Sequence, residues 1–166
     1  LSFKDLTIVS RLVRNISGNS KYIIGPVQNY YYSPEQTFSC GHYFMNISEP
    51  AFNRLRQQYS KEYKLSEGLE IVDYAAGSFV MFPARLIDDI GYIDEAFYLY
   101  GEDADFFLRA WKHGYISAID TGVVILHKVS ATSGSSSPLK RYYQSRNIWL
   151  NLRKHSDITD KMISFQ

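Results

Sequence analysis

The chain has a single cysteine, Cys40. It has no intrachain partner, which excludes the disulfide framework of a small secreted domain and makes a cytosolic compartment the expectation. Charge of one sign is also lacking: 18 Lys and Arg stand against 17 Asp and Glu. No overall field therefore favours nucleic acid or an anionic membrane, and any basic site must be local. No run approaches the roughly 18 apolar residues of a membrane span, and the N-terminus lacks the basic and apolar regions of a signal peptide. Leu1 stands where an initiator methionine would, and the sequence opens directly in an amphipathic pattern. The chain reads as an excised segment. Two Asn-x-Ser triplets, at Asn15 and Asn46, are too short a motif to argue for glycosylation.

What is present is one domain's worth of alternating elements, residues 1–166, with no repeats and no long low-complexity tract. Phe3, Leu6, Val9, Leu12, Val13 and Ile16 recur at helical spacing and predict a first helix with one apolar stripe, stopped by Ser17-Gly18-Asn19. Residues 21–27 predict a strand broken by Gly25-Pro26, then a hairpin with its turn at Ser33-Pro34. Residues 52–64 have no clean period and read as an irregular excursion. Residues 69–82 read as a buried strand feeding a short helix at 84–90, which Gly91 ends, and a second helix at 104–113 ends at Gly114. Strands are predicted at 115–119 and 123–127, a polar loop at 130–137, and a last helix with Pro138 in its first turn, reaching about His155. Mixed strands and helices throughout make the class α/β.

The densest chemical signal is Gly101-Glu102-Asp103-Ala104-Asp105, three acids opening an apolar helix. Helix N-termini stabilise acids through free N–H groups and the dipole, so capping is one reading. The other is a site, because Phe97-Tyr98-Leu99-Tyr100 delivers the acids from an aromatic segment that would bury part of the turn.

The stretch from Asp94 through Glu95-Ala96-Phe97-Tyr98-Leu99-Tyr100-Gly101-Glu102-Asp103-Ala104-Asp105 to Arg109 resembles the "FDE…F…Y…ED-x-D…R" signature of family 2 glycosyltransferases, especially rhamnosyltransferase-like members. Val72-Asp73 and Gly77 resemble the strand preceding that signature. Gly114-Tyr115, His127 with Ser130 and Ser133, and Tyr142-Tyr143 with Arg146-Asn147 resemble elements following it. The match runs from about Gly25 to His155. It implies a partial GT-A (nucleotide-diphospho-sugar transferase-like) fold, a mixed β-sheet with flanking helices whose N-terminal nucleotide-binding half is absent.

The same resemblance implies an inverting, hexosyl-type glycosyltransferase of polysaccharide and cell-wall synthesis. Such an enzyme moves a sugar, rhamnose in this reading, from a nucleotide-sugar donor to a saccharide or lipid-linked acceptor, in the cytoplasm or at the inner face of the plasma membrane. Asp103 takes the role of general base, with Glu102 and Asp105 as supporting acids. Asp73, Gly77, Arg109 and Arg146 are the implied substrate contacts. His127 is the implied ligand, with an Asp-x-Asp, of Mg²⁺ or Mn²⁺ in the intact enzyme. Residue types alone give His127 no second ligand at metal spacing, and the only Asp-x-Asp, Asp103 to Asp105, already belongs to the acid cluster. This fragment is therefore expected to bind no metal and to be inactive alone.

The last helix carries Lys140, Arg141, Arg146, Arg153 and Lys154 among Tyr142, Tyr143 and Trp149. It reads as a solvated face over a core stripe, as a contact for donor phosphate, or as a peripheral membrane contact. The competing function is a non-catalytic carbohydrate-binding module. Nucleic-acid binding is not supported, because the basic residues are not concentrated beyond that helix.

Overall fold

The computed structural model describes residues 1–3, 5, 7–42, 68–129 and 137–155. The excursion expected at 52–64 and nearly all of the polar loop expected at 130–137 lie outside them. Described elements run β1 (Ser2–Phe3), α1 (Thr7–Ser17), β2 (Tyr22–Tyr30), β3 (Ser33–Ser39), β4 (Leu69–Val72), α2 (Arg85–Ile90), a 3-10 turn (Glu95–Phe97), α3 (Glu102–Lys112), β5 (Ile116–His127) and α4 (Pro138–Lys154).

The strands form one mixed sheet in the order β1-β5-β2-β3. β5 runs parallel to β2, and β1 and β4 pair antiparallel with its other edge. Two strands expected at 115–119 and 123–127 are therefore one long strand, with a register shift opposite Pro26 and Val27. The shift accommodates Pro26, which has no N–H to give to a ladder. β2 and β3 form the expected hairpin, but its turn is Tyr31-Tyr32, and Ser33-Pro34 opens the return strand. The strand expected over 69–82 is shorter than its apolar run. β4 ends at Val72, and the chain rejoins the sheet only at Met81, bridged to Ile24.

Two apolar clusters cover the two faces. On one, Ile8 and Leu12 of α1 pack with Tyr22, Ile24, Ile116, Val123 and Ile125. On the other, Phe106, Phe107 and Ala110 of α3 and Leu86 of α2 pack with Ile23, Val72, Tyr115 and Ile119. Strand alternation assigns successive residues to opposite faces.

The first helix departs from the expected stripe. Of that stripe, Leu12 and Ile16 pack on the sheet as expected, but Phe3 belongs to β1, Val9 and Val13 are exposed, Leu6 lies outside the described residues, and Ile8, Arg11 and Asn15 complete the sheet-facing row. The cause is Asp120, fully buried on that face. It accepts from Arg11 Nε and Nη2 at 2.7 Å each, from Asn15 at 2.8 Å and from the Gly122 amide at 3.0 Å. A buried carboxylate requires such partners, and they draw a polar row of α1 inward beside the apolar one.

Candidate active site

The acids stand where the 3-10 turn passes into α3. Asp94 starts that turn by accepting from the Ala96 amide. Tyr98, Tyr100 and Gly101 then take positive φ values of 60°, 63° and 86°, a region that side chains with a Cβ avoid. Gly101 occupies the N-cap of α3 and offers no side chain, so none of the acids caps from that position. Glu102, Asp103 and Asp105 lie within the first turn.

The three acids meet three different environments. Asp105 is fully buried and engaged by Arg109, Lys154 and His155, each at 2.9 Å. Burial alone would raise its carboxyl, but the hydrogen bonds from His155, Lys154 and Arg109 outweigh that and hold it well below the usual carboxylate range. It has no oxygen open to an acceptor hydroxyl and joins α3 to the end of α4. Glu102 is half-buried, and its Oε2 is shielded from solvent with no hydrogen-bond partner among the described residues. Burial pushes its carboxyl up, and the charge of Asp103 adds to the effect. Asp103 is partly exposed, and its Oδ2 accepts from the Gly77 amide at 3.4 Å.

Gly77 is required by this approach. A Cβ placed there would lie 2.9 Å from Asp103 Cβ and 3.3 Å from Oδ2. Beside it, the Tyr74 and His42 rings stack at 4.9 Å, their backbones bridge, and Ser39 Oγ lies 3.0 Å from His42 Nε2. Burial and the charges of Asp103 and Asp73 push the Tyr74 hydroxyl to about 12. Burial pushes the His42 imidazole down, and the Asp103 charge partly offsets this. Asp73 is half-buried in the same loop, its amide donating to the His42 carbonyl. Sequence reasoning missed His42 and Tyr74. Tyr74 could have been noticed, since it sits between Asp73 and Gly77, whereas His42 comes near only through the fold.

The remaining expected residues have other partners. All three nitrogens of Arg109 donate inward, to Asp105 and to the carbonyls of Ile90 and Tyr92. Arg146 donates to the carbonyls of Ala96 and Phe97 and to Asn147 Oδ1. His127 sits at the end of β5 with its ring edge-on to Phe38 at 5.2 Å. Alternation from Ile125 puts it on the α1 face of the sheet, opposite α3. Among the described residues its Nδ1 is buried without a hydrogen-bond partner, and no group of three His, Cys, Asp or Glu that could hold a metal occurs. A lone imidazole does not make a site for Mg²⁺ or Mn²⁺, which take mainly oxygen ligands.

The family model for glycosyl transferase family group 2 matches residues 13–153, and the chain belongs to that family. The mixed sheet flanked by helices suits the GT-A arrangement, and glycosyl transfer between a nucleotide-sugar donor and an acceptor is the role the family carries. No curated protein matches the chain.

Proposed function

We propose that this domain forms the acceptor side of an inverting transferase, with Asp103 as general base. One observation carries the reading: Asp103 is the acid of the cluster that is both partly exposed and backed by a glycine amide, while Asp105 is buried in ion pairs. As the acceptor hydroxyl oxygen attacks the anomeric carbon, Asp103 takes its proton. The new C–O bond forms as the bond to the nucleotide diphosphate breaks on the opposite face, inverting the centre. Glu102, desolvated beside Asp103, donates to or orients the acceptor, and Asp105 holds α3 in place. We assign the transferred sugar as rhamnose, and the acceptor as a saccharide or lipid-linked chain of a bacterial surface polysaccharide. The test is transfer by a complete transferase carrying this domain from a panel of nucleotide diphosphate sugars, with the product's anomeric configuration read by NMR. Retained configuration would sink the single-displacement mechanism, and preference for another sugar would sink the rhamnose assignment.

We further propose a peripheral membrane contact through α4. No described helix is long and apolar enough to cross a membrane. Its outward face nevertheless exposes Tyr142, Ile148 and Trp149, the last at 74%, beside exposed Arg141 and Arg153. Apolar and basic residues together suit an anionic interface. The chain should co-sediment with phosphatidylglycerol vesicles more than with phosphatidylcholine vesicles, and Trp149→Ala should weaken this. Equal sedimentation with both lipids would count against it.

A further inference from the structure

The turn that delivers the acids is gripped by one face of α4. We infer that Asn147 is a positioning residue: it holds residues 97–101 in their left-handed turn and through that turn sets where Asp103 stands. Its importance to transfer rests on the reading of Asp103 as the base.

Asn147 is 1% exposed. Its Nδ2 donates to the carbonyls of Phe97, Leu99 and Tyr100. Its Oδ1 accepts from Arg146 Nε, which orients the amide, and Arg146 also donates to the carbonyls of Ala96 and Phe97. One turn later Asn151 donates to the Gly101 carbonyl. A turn later again, Lys154 reaches both Asp94 and Asp105. Positions 147, 151 and 154 share one helix face, so a polar ridge holds residues 94–105 along their length.

The gripped segment includes the two tyrosines with positive φ, a conformation that persists only where its surroundings enforce it. Without the amide, the carbonyls of Leu99 and Tyr100 lose the bond that ties them to α4, while Phe97 keeps Arg146 and the Leu99 amide as donors. With that tie gone, Tyr98 and Tyr100 are free to relax towards negative φ, which redirects the entry into α3. Gly101 leaves no slack, since a Cβ there would lie 3.3 Å from both Asn147 Cβ and Asn151 Nδ2. Asp103 follows two residues later, already packed against Gly77.

The test uses the ¹⁵N-labelled chain and the amide shift of Gly77, which reports the contact with Asp103 Oδ2. Asp103→Asn should move that shift in the otherwise wild-type chain. Asn147→Asp keeps the volume but points acceptors at carbonyls. In that background the same Asp103 replacement should move the shift by less than roughly half as much. Adding Tyr98→Gly and Tyr100→Gly, which accept positive φ without strain, should restore the response. If Asn147→Asp does not fold, Asn151→Ala removes only the bond to Gly101 and carries the same comparison. A full-sized Gly77 response in a folded variant, or no recovery with the glycines, overturns the inference. In a transfer assay of a complete transferase carrying this domain, kcat should fall by up to about a hundredfold, as for a misplaced catalytic group, with the donor KM unchanged. Spectra as expected with full turnover in Asp103→Asn would leave the positioning intact and remove only the base assignment.

Discussion

In a complete transferase carrying this domain, Asp103→Asn should lower turnover by at least about a hundredfold, the low end of what a general base contributes, while donor affinity changes little. Asparagine keeps the shape and can still accept from the Gly77 amide, but it has no basic oxygen to take the acceptor proton. In the proposed mechanism the base faces the acceptor, so donor binding is not its task. Two companion variants sharpen the result. Glu102→Gln should cost less, because Glu102 only orients the acceptor in the proposed mechanism and burial already disfavours its charged form. Gly77→Ala should reduce turnover without touching any acid, because its Cβ would meet Asp103 Cβ at 2.9 Å and displace the carboxylate. Turnover and donor binding for all three under saturating substrates decide the matter. Asp103→Asn retaining more than about a tenth of turnover while Glu102→Gln loses it would mean that the wrong carboxylate has been named.

The acid cluster was legible because its elements are local. Glycines at 91 and 114 mark the ends of α2 and α3, and both adopt positive φ. The resemblance covers the whole aromatic turn from Asp94 to Arg109. What was not legible depends on contacts between distant residues. Residue types suggested that α4 was a solvated basic face over an apolar stripe, yet Asn147 and His155 are buried while Ile148 and Trp149 are exposed. Periodicity cannot anticipate this, because the partners of that face are backbone carbonyls some fifty positions away. The same holds for α1, where Val9 and Val13 form as good an apolar row as Ile8 and Leu12. Only the buried Asp120, more than a hundred residues on, selects the row next to Arg11 and Asn15. Arg109 and Arg146 were expected at substrate because the family resemblance implies it. Each also suits convergent carbonyls and a buried carboxylate, and that is where the fold places their donors.

Asp105→Asn should destabilise the fold by about 3 to 5 kcal/mol, the usual cost of breaking a buried ion pair from one side. That corresponds to a fall in Tm of roughly 6 to 20 °C for a domain of this size. The cost arises from what remains, because Arg109 and His155 stay largely buried and the amide presents them with one neutral oxygen and an N–H donor. Lys154 matters less, since it can fall back on Asp94 at 2.6 Å. The pH dependence separates this charge from simple packing. The Asp105 carboxyl titrates lower in the folded chain than in the unfolded one, where it sits near 3.9, so the folded state binds fewer protons through this range. Its contribution is therefore complete above the unfolded value and drains away as pH falls from about 5 towards the folded value. The wild-type chain should lose Tm steeply between about pH 5 and pH 3, and Asp105→Asn should lose distinctly less over the same interval. A residual slope is expected from Asp89 and Asp94, whose carboxyls are also held down by hydrogen bonds, from Tyr115 and Lys154 respectively. Urea denaturation at neutral pH with thermal melts across the acid range measures both effects. Parallel acid slopes for the two proteins would show that the buried carboxylate is not the acid-sensitive tie between α3 and α4.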